Sequence, residues 1–269
     1  MLAYGDHIRA RQVPHGAPIV NGRFSIRCAI PARPAHTVSQ VAIEYQPAGL
    51  FKVFTVRADT LAHNPAQVLD ITQQSHFFYN AREKYVEAFG RVDLPDRNSW
   101  QVVAFFRLIA AHVDFSNPAH INSYLRTLQK FAEQIEQADG LVWDEPGFTC
   151  MYGCLPFSPA IARRFRLRSG RALDEVIWQM ALASADNSHI PVRTCYFTVL
   201  QEFMLQVQKR SRSCVQAVWG DSVLSGIHDT WHFESAHMCD MNHGSLDLWK
   251  SLTVKSGGFV DIGGVQELR

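Results

Sequence analysis

Two adjacent carboxylates, Asp144 and Glu145, follow the apolar run Leu141-Val142-Trp143 and precede Pro146-Gly147. A short buried strand delivers acids to its C-terminal end in this way, and strand C-termini are where parallel α/β barrels keep their chemistry. The competing reading is a turn with two solvated acids, since Asp-x-Pro-Gly is also good turn chemistry. A second apolar run, from Ser222 to Ile227, ends in His228, Asp229, Trp231, His232 and Glu234. A third, from Gly258 to Ile262, carries Asp261. Two carboxylates held in unlike environments of one cleft divide into a protonated acid and an ionised base. Trp143, Trp231 and Phe233 stand close to these acids in sequence. Aromatic faces beside carboxylates suit a sugar ring, whose C–H face stacks while its hydroxyls hydrogen-bond. The bland alternative makes the aromatics core and the acids solvated.

Other chemistries fit less well. His228 and His232 are four apart, a spacing that shares one ion on a helix. On a strand the same spacing separates them by about 13 Å, so no metal ligand is assigned, and hydrogen bonding to ligand hydroxyls is the reading for both. No cofactor is called for, although His237, Asp240 and His243 leave a calcium or zinc site open. Cys150 and Cys154 are the only closely spaced cysteines. No G-x-S-x-G elbow accompanies Ser225. Neither a G-x-G-x-x-G nor a Walker A sequence follows a strand. The basic run Lys209-Arg210-Ser211-Arg212 and the group Arg163, Arg164, Arg166, Arg168 and Arg171 lack interleaved aromatics, so they read as solvated helix faces, not as a nucleic-acid surface.

Composition narrows the partners. With 26 basic against 25 acidic residues, no global field recruits nucleic acid or an anionic membrane. No apolar stretch is long enough to span a bilayer. The hydrophobic content of 47% supports a sizeable core in 269 residues. The start lacks the basic-then-apolar layout of a signal peptide, and the six cysteines are dispersed. A cytoplasmic protein with reduced thiols is expected.

The elements that must position these groups change character along the chain. Residues 1–108 read as a β-rich section of short strands: Phe24–Ile30, Val38–Tyr45, Phe51–Val56, Val68–Ile71, Tyr85–Phe89 and Trp100–Phe106, with Gln46-Pro47-Ala48-Gly49 as a turn. From 109 to 269, helices and strands alternate. Asn117 or Ser116 caps a helix opening at Pro118 and running to about Gln137. Ser158-Pro159 opens a second, stopped by a left-handed Gly170. A third spans about Leu173–Ala183, and Pro191 opens a long one. Strands at Gly140–Glu145, Ser222–His232 and Gly258–Gly264 and a short helix at Ser245–Leu252 complete the pattern. This alternation predicts a parallel α/β sheet, and the fold expected is a partial or complete (β/α)8 TIM-barrel-like domain behind the β-rich section. Only three or four β/α units are visible, against the eight that a barrel needs.

Several of these segments resemble a known family. Asp114-Phe-Ser-Asn-Pro118, Gly140-Leu-Val-Trp-Asp-Glu-Pro146, Leu155-Pro-Phe-Ser-Pro159 and Arg164-Phe-Arg-Leu-Arg-Ser-Gly170 are similar to stretches of the α-L-rhamnosidase-like glycoside hydrolases of family 106 and their uncharacterised relatives. The resemblance spans roughly residues 40–264, with Asp-Glu-Pro its most specific part. It implies a (β/α)8 catalytic barrel with accessory β domains, an oligosaccharide or glycoside substrate, and hydrolysis by two carboxylates. Glu145 matches the acid of Asp-Glu-Pro and is the expected general acid. Glu234 is the expected base or nucleophile, although its surroundings depart from the family pattern. Trp143, Asp144, His228, Asp229, Trp231, His232 and Asp261 would bind substrate. The chain is short for such a barrel, which would leave open sheet edges and favour self-association. The alternative expectation is a non-catalytic carbohydrate-binding or interaction module.

Overall fold

The computed structural model describes residues 2–4, 17–30, 45–57, 67–95, 100–110, 114–136, 138, 140–144, 154–182, 186–228 and 256–259. The chain divides into two compact units, Met1–Ala111 with Met151–Cys195, and His112–Cys150 with Tyr196–Arg269.

The first unit holds two antiparallel sheets. Strands β1 (Leu2–Tyr4), β2 (Ala17–Pro18), β4 (Tyr45–Arg57), β5 (Val68–Asp70), β8 (Trp100–Ala110) and β10 (Cys154–Leu155) form one, ordered β10-β1-β8-β4-β5 with β2 also on β8. Strands β3 (Arg23–Ala29), β6 (Ser75–Asn80) and β7 (Tyr85–Arg91) form the other, ordered β3-β7-β6. Strand β3 alternates as a half-buried strand should: Phe24, Ile26 and Cys28 are buried while Ser25 and Arg27 are exposed. The central strand β8 is different. Val102 through Phe106 are all buried, so both of its faces are covered. Phe106 meets Phe77 of β6 at 6.3 Å between ring centroids, which places the small sheet over that face. On the opposite face, Phe105 packs edge-on against Phe54. Phe157 packs against Phe51 with tilted rings, centroids 4.6 Å apart, bringing the segment after β10 onto the same side. Two short helices, α3 (Leu173–Val176) and α4 (Trp178–Ala181), follow α2 (Pro159–Ser169) there. The side chains of Leu155, Ile161, Phe165, Leu173, Val176 and Ile177 are buried.

Glycine is required at one point of this packing. Gly90 stands in β7, where a Cβ would lie 3.0 Å from the Phe24 ring and closer still to the Gln74 carbonyl oxygen. The backbone oxygen cannot yield, so the turn that leads into β6 and the Phe24 ring of β3 approach β7 at that point only because the side chain is missing.

The second unit contains α1 (Pro118–Glu133), β9 (Gly140–Asp144), the body of α5 (His189–Trp219), β11 (Leu224–His228) and β12 (Ser256–Phe259). The strands form a parallel sheet ordered β12-β11-β9. Contacts between the helices rise together along both chains: Arg210 reaches Asn122, Cys214 reaches the Leu125 carbonyl, and Trp219 reaches the Ala132 carbonyl. The helices α1 and α5 therefore run in the same direction, each feeding a strand of the parallel sheet through a short link. Leu128, Ala132, Val215 and Val223 are buried together, with Leu141 of β9 packed against them.

The expected (β/α)8 barrel is not what the chain forms. Among the described residues, parallel pairing is confined to three strands, and the remaining strands pair antiparallel. Two helix-to-strand repeats look the same in a short sheet as in a barrel, because each repeat buries only its own neighbours. Between β9 and α5 the chain leaves for the first unit, where β10 pairs with β1.

Smaller expectations differ in instructive ways. Gln46-Pro47-Ala48-Gly49 is not a turn but part of β4, where the pairing with β8 shifts register at Pro47/Gly49 and again at Leu50/Lys52. Bulges absorb a proline and a glycine at φ +116° that a regular ladder would refuse. The expected third helix is two pieces, α3 and α4, joined at Ile177. The long helix opens at His189, two residues before Pro191, and the proline occupies its first turn, where no backbone donor is needed. The expected strand Val38–Tyr45, apart from Tyr45, and the helix Ser245–Leu252 lie outside the described residues.

Candidate functional site

Local sequence sets the helices beneath the parallel strands. Asn117 accepts a hydrogen bond from the Ala119 amide, and Pro118 fills the first helical position. At the other end of α1, the Trp219 indole N–H donates to the carbonyls of Ala132 and Ile135, at 3.1 and 3.2 Å. Both carbonyls stand at the C-terminal end of α1, where Ala132 also accepts from the Ile135 amide, so the end of α5 fixes the end of α1.

That scaffold places the two strand ends side by side. In the parallel register Trp143 pairs with Ile227 and Asp144 with His228, and Phe259 of β12 stands on the other side of His228. Adjacent strands are about 4.8 Å apart, so Asp144 and His228 occupy neighbouring backbone positions at the C-terminal edge of the sheet. Two of the expected site residues are thereby brought together, with Trp143 one position inward. Glu145, Asp229, Trp231, His232, Glu234 and Asp261 lie outside the described residues, as do Cys150, His237, Asp240 and His243. Among the described residues, no group of three His, Cys, Asp or Glu side chains is arranged to hold a metal ion.

A second feature escaped sequence reading. A groove of about 600 Å³ lies between α1 and α5, lined by Asn122, Leu125, Arg126, Gln129, Lys209, Arg210, Ser213 and Cys214. Asn122, Arg126 and Gln129 recur at helical spacing along α1, and Lys209, Arg210 and Ser213 do so along α5. That spacing was the available signal, but it does not tell a free helix face from one turned toward a neighbour. The Arg210 guanidinium donates to Asn122 Oδ1 at 2.6 Å. Gln129 donates to Glu133 Oε1 at 2.9 Å. Burial pushes the Cys214 thiol above its ordinary value, and the Glu133 carboxylate adds to the rise. A thiol so shifted is a poor nucleophile at neutral pH, so Cys214 is a wall of this groove and not its reactive group. Nearby, burial raises the Tyr124 phenol, with the Ser211 hydroxyl partly offsetting it.

Helix α5 also buries polar groups. Gln208 is 7% exposed, and neither atom of its amide has a hydrogen-bond partner. Buried amides are almost always satisfied, so this one marks a cost inside the second unit. Among the described residues, no helix is long and apolar enough to cross a membrane.

No protein-family model matches the chain, and no curated protein or solved structure matches it either.

Proposed function

We propose that this chain is a glycoside hydrolase whose active centre lies at the C-terminal edge of the β9–β11–β12 sheet. The observation that carries the reading is the pairing of Asp144 with His228 at the ends of two parallel strands. Glu145 follows the first in the chain and Asp229 the second. The resemblance of Gly140–Pro146 to family 106 supports the choice of Glu145 as general acid. In this mechanism Glu145 protonates the glycosidic oxygen as the bond to the anomeric carbon breaks. Glu234 attacks that carbon or activates the attacking water. A carboxyl separation of about 5 Å gives retention, and about 6.5–9.5 Å gives inversion. Asp144, His228, Asp229 and His232 bind hydroxyls, while Trp143 and Trp231 stack on the sugar; Asp261 completes the binding set. No cofactor is needed. A cytoplasmic location and self-association through the open sheet edges belong to the same proposal.

The test is hydrolysis across a panel of aryl glycosides. Glu145→Gln should cut turnover by about 10²-fold or more on substrates with poor leaving groups, and less where the leaving group needs no proton. Azide should restore turnover to Glu234→Gly if Glu234 is the nucleophile. A purified, folded chain that turns over no glycoside in the panel would refute the reading.

A second reading is a carbohydrate-binding module. It is favoured by the outward face of the β3–β7–β6 sheet. There the register rows Ser25–Phe89–His76, Arg27–Glu87–Phe78 and Ala29–Tyr85–Asn80 set aromatic rings among polar groups. Phe78 and Phe89 are 46% and 40% exposed. Arg27 reaches Glu87 at 3.1 Å and lies over the Tyr85 ring. Binding of neutral glycans that is lost in a Phe78→Ala/Phe89→Ala variant, with no turnover by the parent chain, would select this reading over the first.

A further inference from the structure

The groove between α1 and α5 gathers three cations, with the Glu133 carboxylate bonded to the lining Gln129. Arg126, Lys209 and Arg210 all line it, and among the described residues none of the three makes an ion pair. Two cations elsewhere are paired, Arg27 with Glu87 and Lys52 with Asp70. Cations turned into one concave space repel one another, and that repulsion is relieved by an anion between them. Asn122, Gln129 and Ser213 add uncharged donors and acceptors to the lining. Asn122 Oδ1 already holds the Arg210 guanidinium, which fixes one of the charges in place. The apolar part of the lining comes from Leu125, the Cys214 thiol and the stems of the long side chains. There is no aromatic ring in the lining on which a base could stack, which argues against a single-stranded nucleic acid. The volume, about 600 Å³, falls in the range of small-ligand sites.

We infer that this groove binds an acidic oligosaccharide, its sulfate or uronate groups held by Arg126, Lys209 and Arg210 and its hydroxyls by Asn122, Gln129 and Ser213. The saccharide part rests on the glycosidase reading; the preference for an anion rests on the groove alone. A second saccharide site away from the strand ends would hold a charged chain while another part of it is cut.

The experiment is equilibrium binding to the full chain, free of any turnover readout. The probes are a heparin-derived tetrasaccharide, trigalacturonate, neutral maltotetraose and an oligothymidylate of matched charge. At least one acidic saccharide should bind at low ionic strength, weaken with added salt, and weaken by about tenfold or more in Arg126→Gln/Lys209→Gln/Arg210→Gln. Maltotetraose should not bind in the groove. Arg163→Gln/Arg166→Gln, which removes two exposed cations from α2, should leave binding unchanged. Circular dichroism checks that the triple variant is folded, and Arg126→Gln alone, expected to weaken binding by a smaller factor, replaces it if it is not. The inference is overturned if no acidic saccharide binds, if the triple variant binds as the parent does, if the α2 control weakens binding equally, or if oligothymidylate binds tighter. Binding without glycoside turnover would sink the glycosidase reading and leave the anion site standing; turnover without binding would do the reverse.

Discussion

Asp144 and His228 are register partners at the C-terminal ends of two adjacent parallel strands, β9 and β11. They are 84 residues apart in number only because the intervening chain visits the first unit and returns through α5. This register puts an aspartate and a histidine at neighbouring backbone positions of the proposed centre. Asp144→Asn should therefore weaken aryl-glycoside hydrolysis by about 10- to 100-fold, the worth of a hydrogen bond to a charged group. The loss should fall more on KM than on kcat if Asp144 holds a hydroxyl. Steady-state kinetics decide this, and an unchanged kcat/KM would remove Asp144 from the site.

Gln208 offers a prediction of opposite sign. Its buried amide has no partner, so the folded state bears a desolvation cost that a thioether of similar volume would not. Gln208→Met should raise stability by about 1 kcal/mol, a rise in Tm of about 2–4 °C. Thermal unfolding measures it. A lowered Tm would mean that the amide is satisfied in solution.

The indole of Trp219 holds the end of α1 through the Ala132 and Ile135 carbonyls. Trp219→Phe keeps an aromatic ring but deletes the donor, and should cost about 1 kcal/mol. Urea unfolding should show a lower midpoint with an unchanged slope. An unchanged midpoint would show that water replaces the indole at no cost.

Acid should weaken one surface link of the first unit. Lys52 reaches Asp70 at 2.6 Å and Asp174 at 3.8 Å, tying β4 to β5 and to α3. Burial raises the Asp70 carboxyl, but hydrogen bonds from Lys52 and Thr72 outweigh it and hold Asp70 below its ordinary value. The folded value is thus lower than the unfolded one. The stabilisation is fully present above the unfolded value, about 3.9, and is lost as pH falls through the folded value. Both side chains are partly exposed, so the pair contributes less than about 1 kcal/mol. Carboxyl NMR should show Asp70 titrating below the ordinary range, and Lys52→Met should move it upward. A titration unaltered by that substitution would dissociate the shift from Lys52.

What could be read from the chain alone was local. Asn117-Pro118, Ser158-Pro159 and Gly170 marked helix ends because capping is a matter of neighbouring atoms: each side chain or left-handed backbone satisfies a group two to four residues away. The strands β9 and β11 were legible for the same reason, as apolar runs bounded by polar residues. β6 was not, since Ser75-His-Phe-Phe-Tyr-Asn80 presents Phe77 to one face and Phe78 to the other and so shows no alternation. Gln46–Gly49 read as a turn because its residue types favour one, and only the long partner β8 holds it extended with bulges.

Sequence by itself thus determined the caps, most of the strands and the place of Asp144 at the end of β9, all set by short-range hydrogen bonding and hydrophobic period. Tertiary structure decided how the sheets are built and closed. Whether parallel repeats continue into a barrel or stop at three strands depends on contacts between distant segments, and here residues 151–195 join the antiparallel unit. The same distance in sequence hid the cationic groove. Arg210 read as part of a solvated basic run until the packing of α1 beside α5 set it in one lining with Arg126.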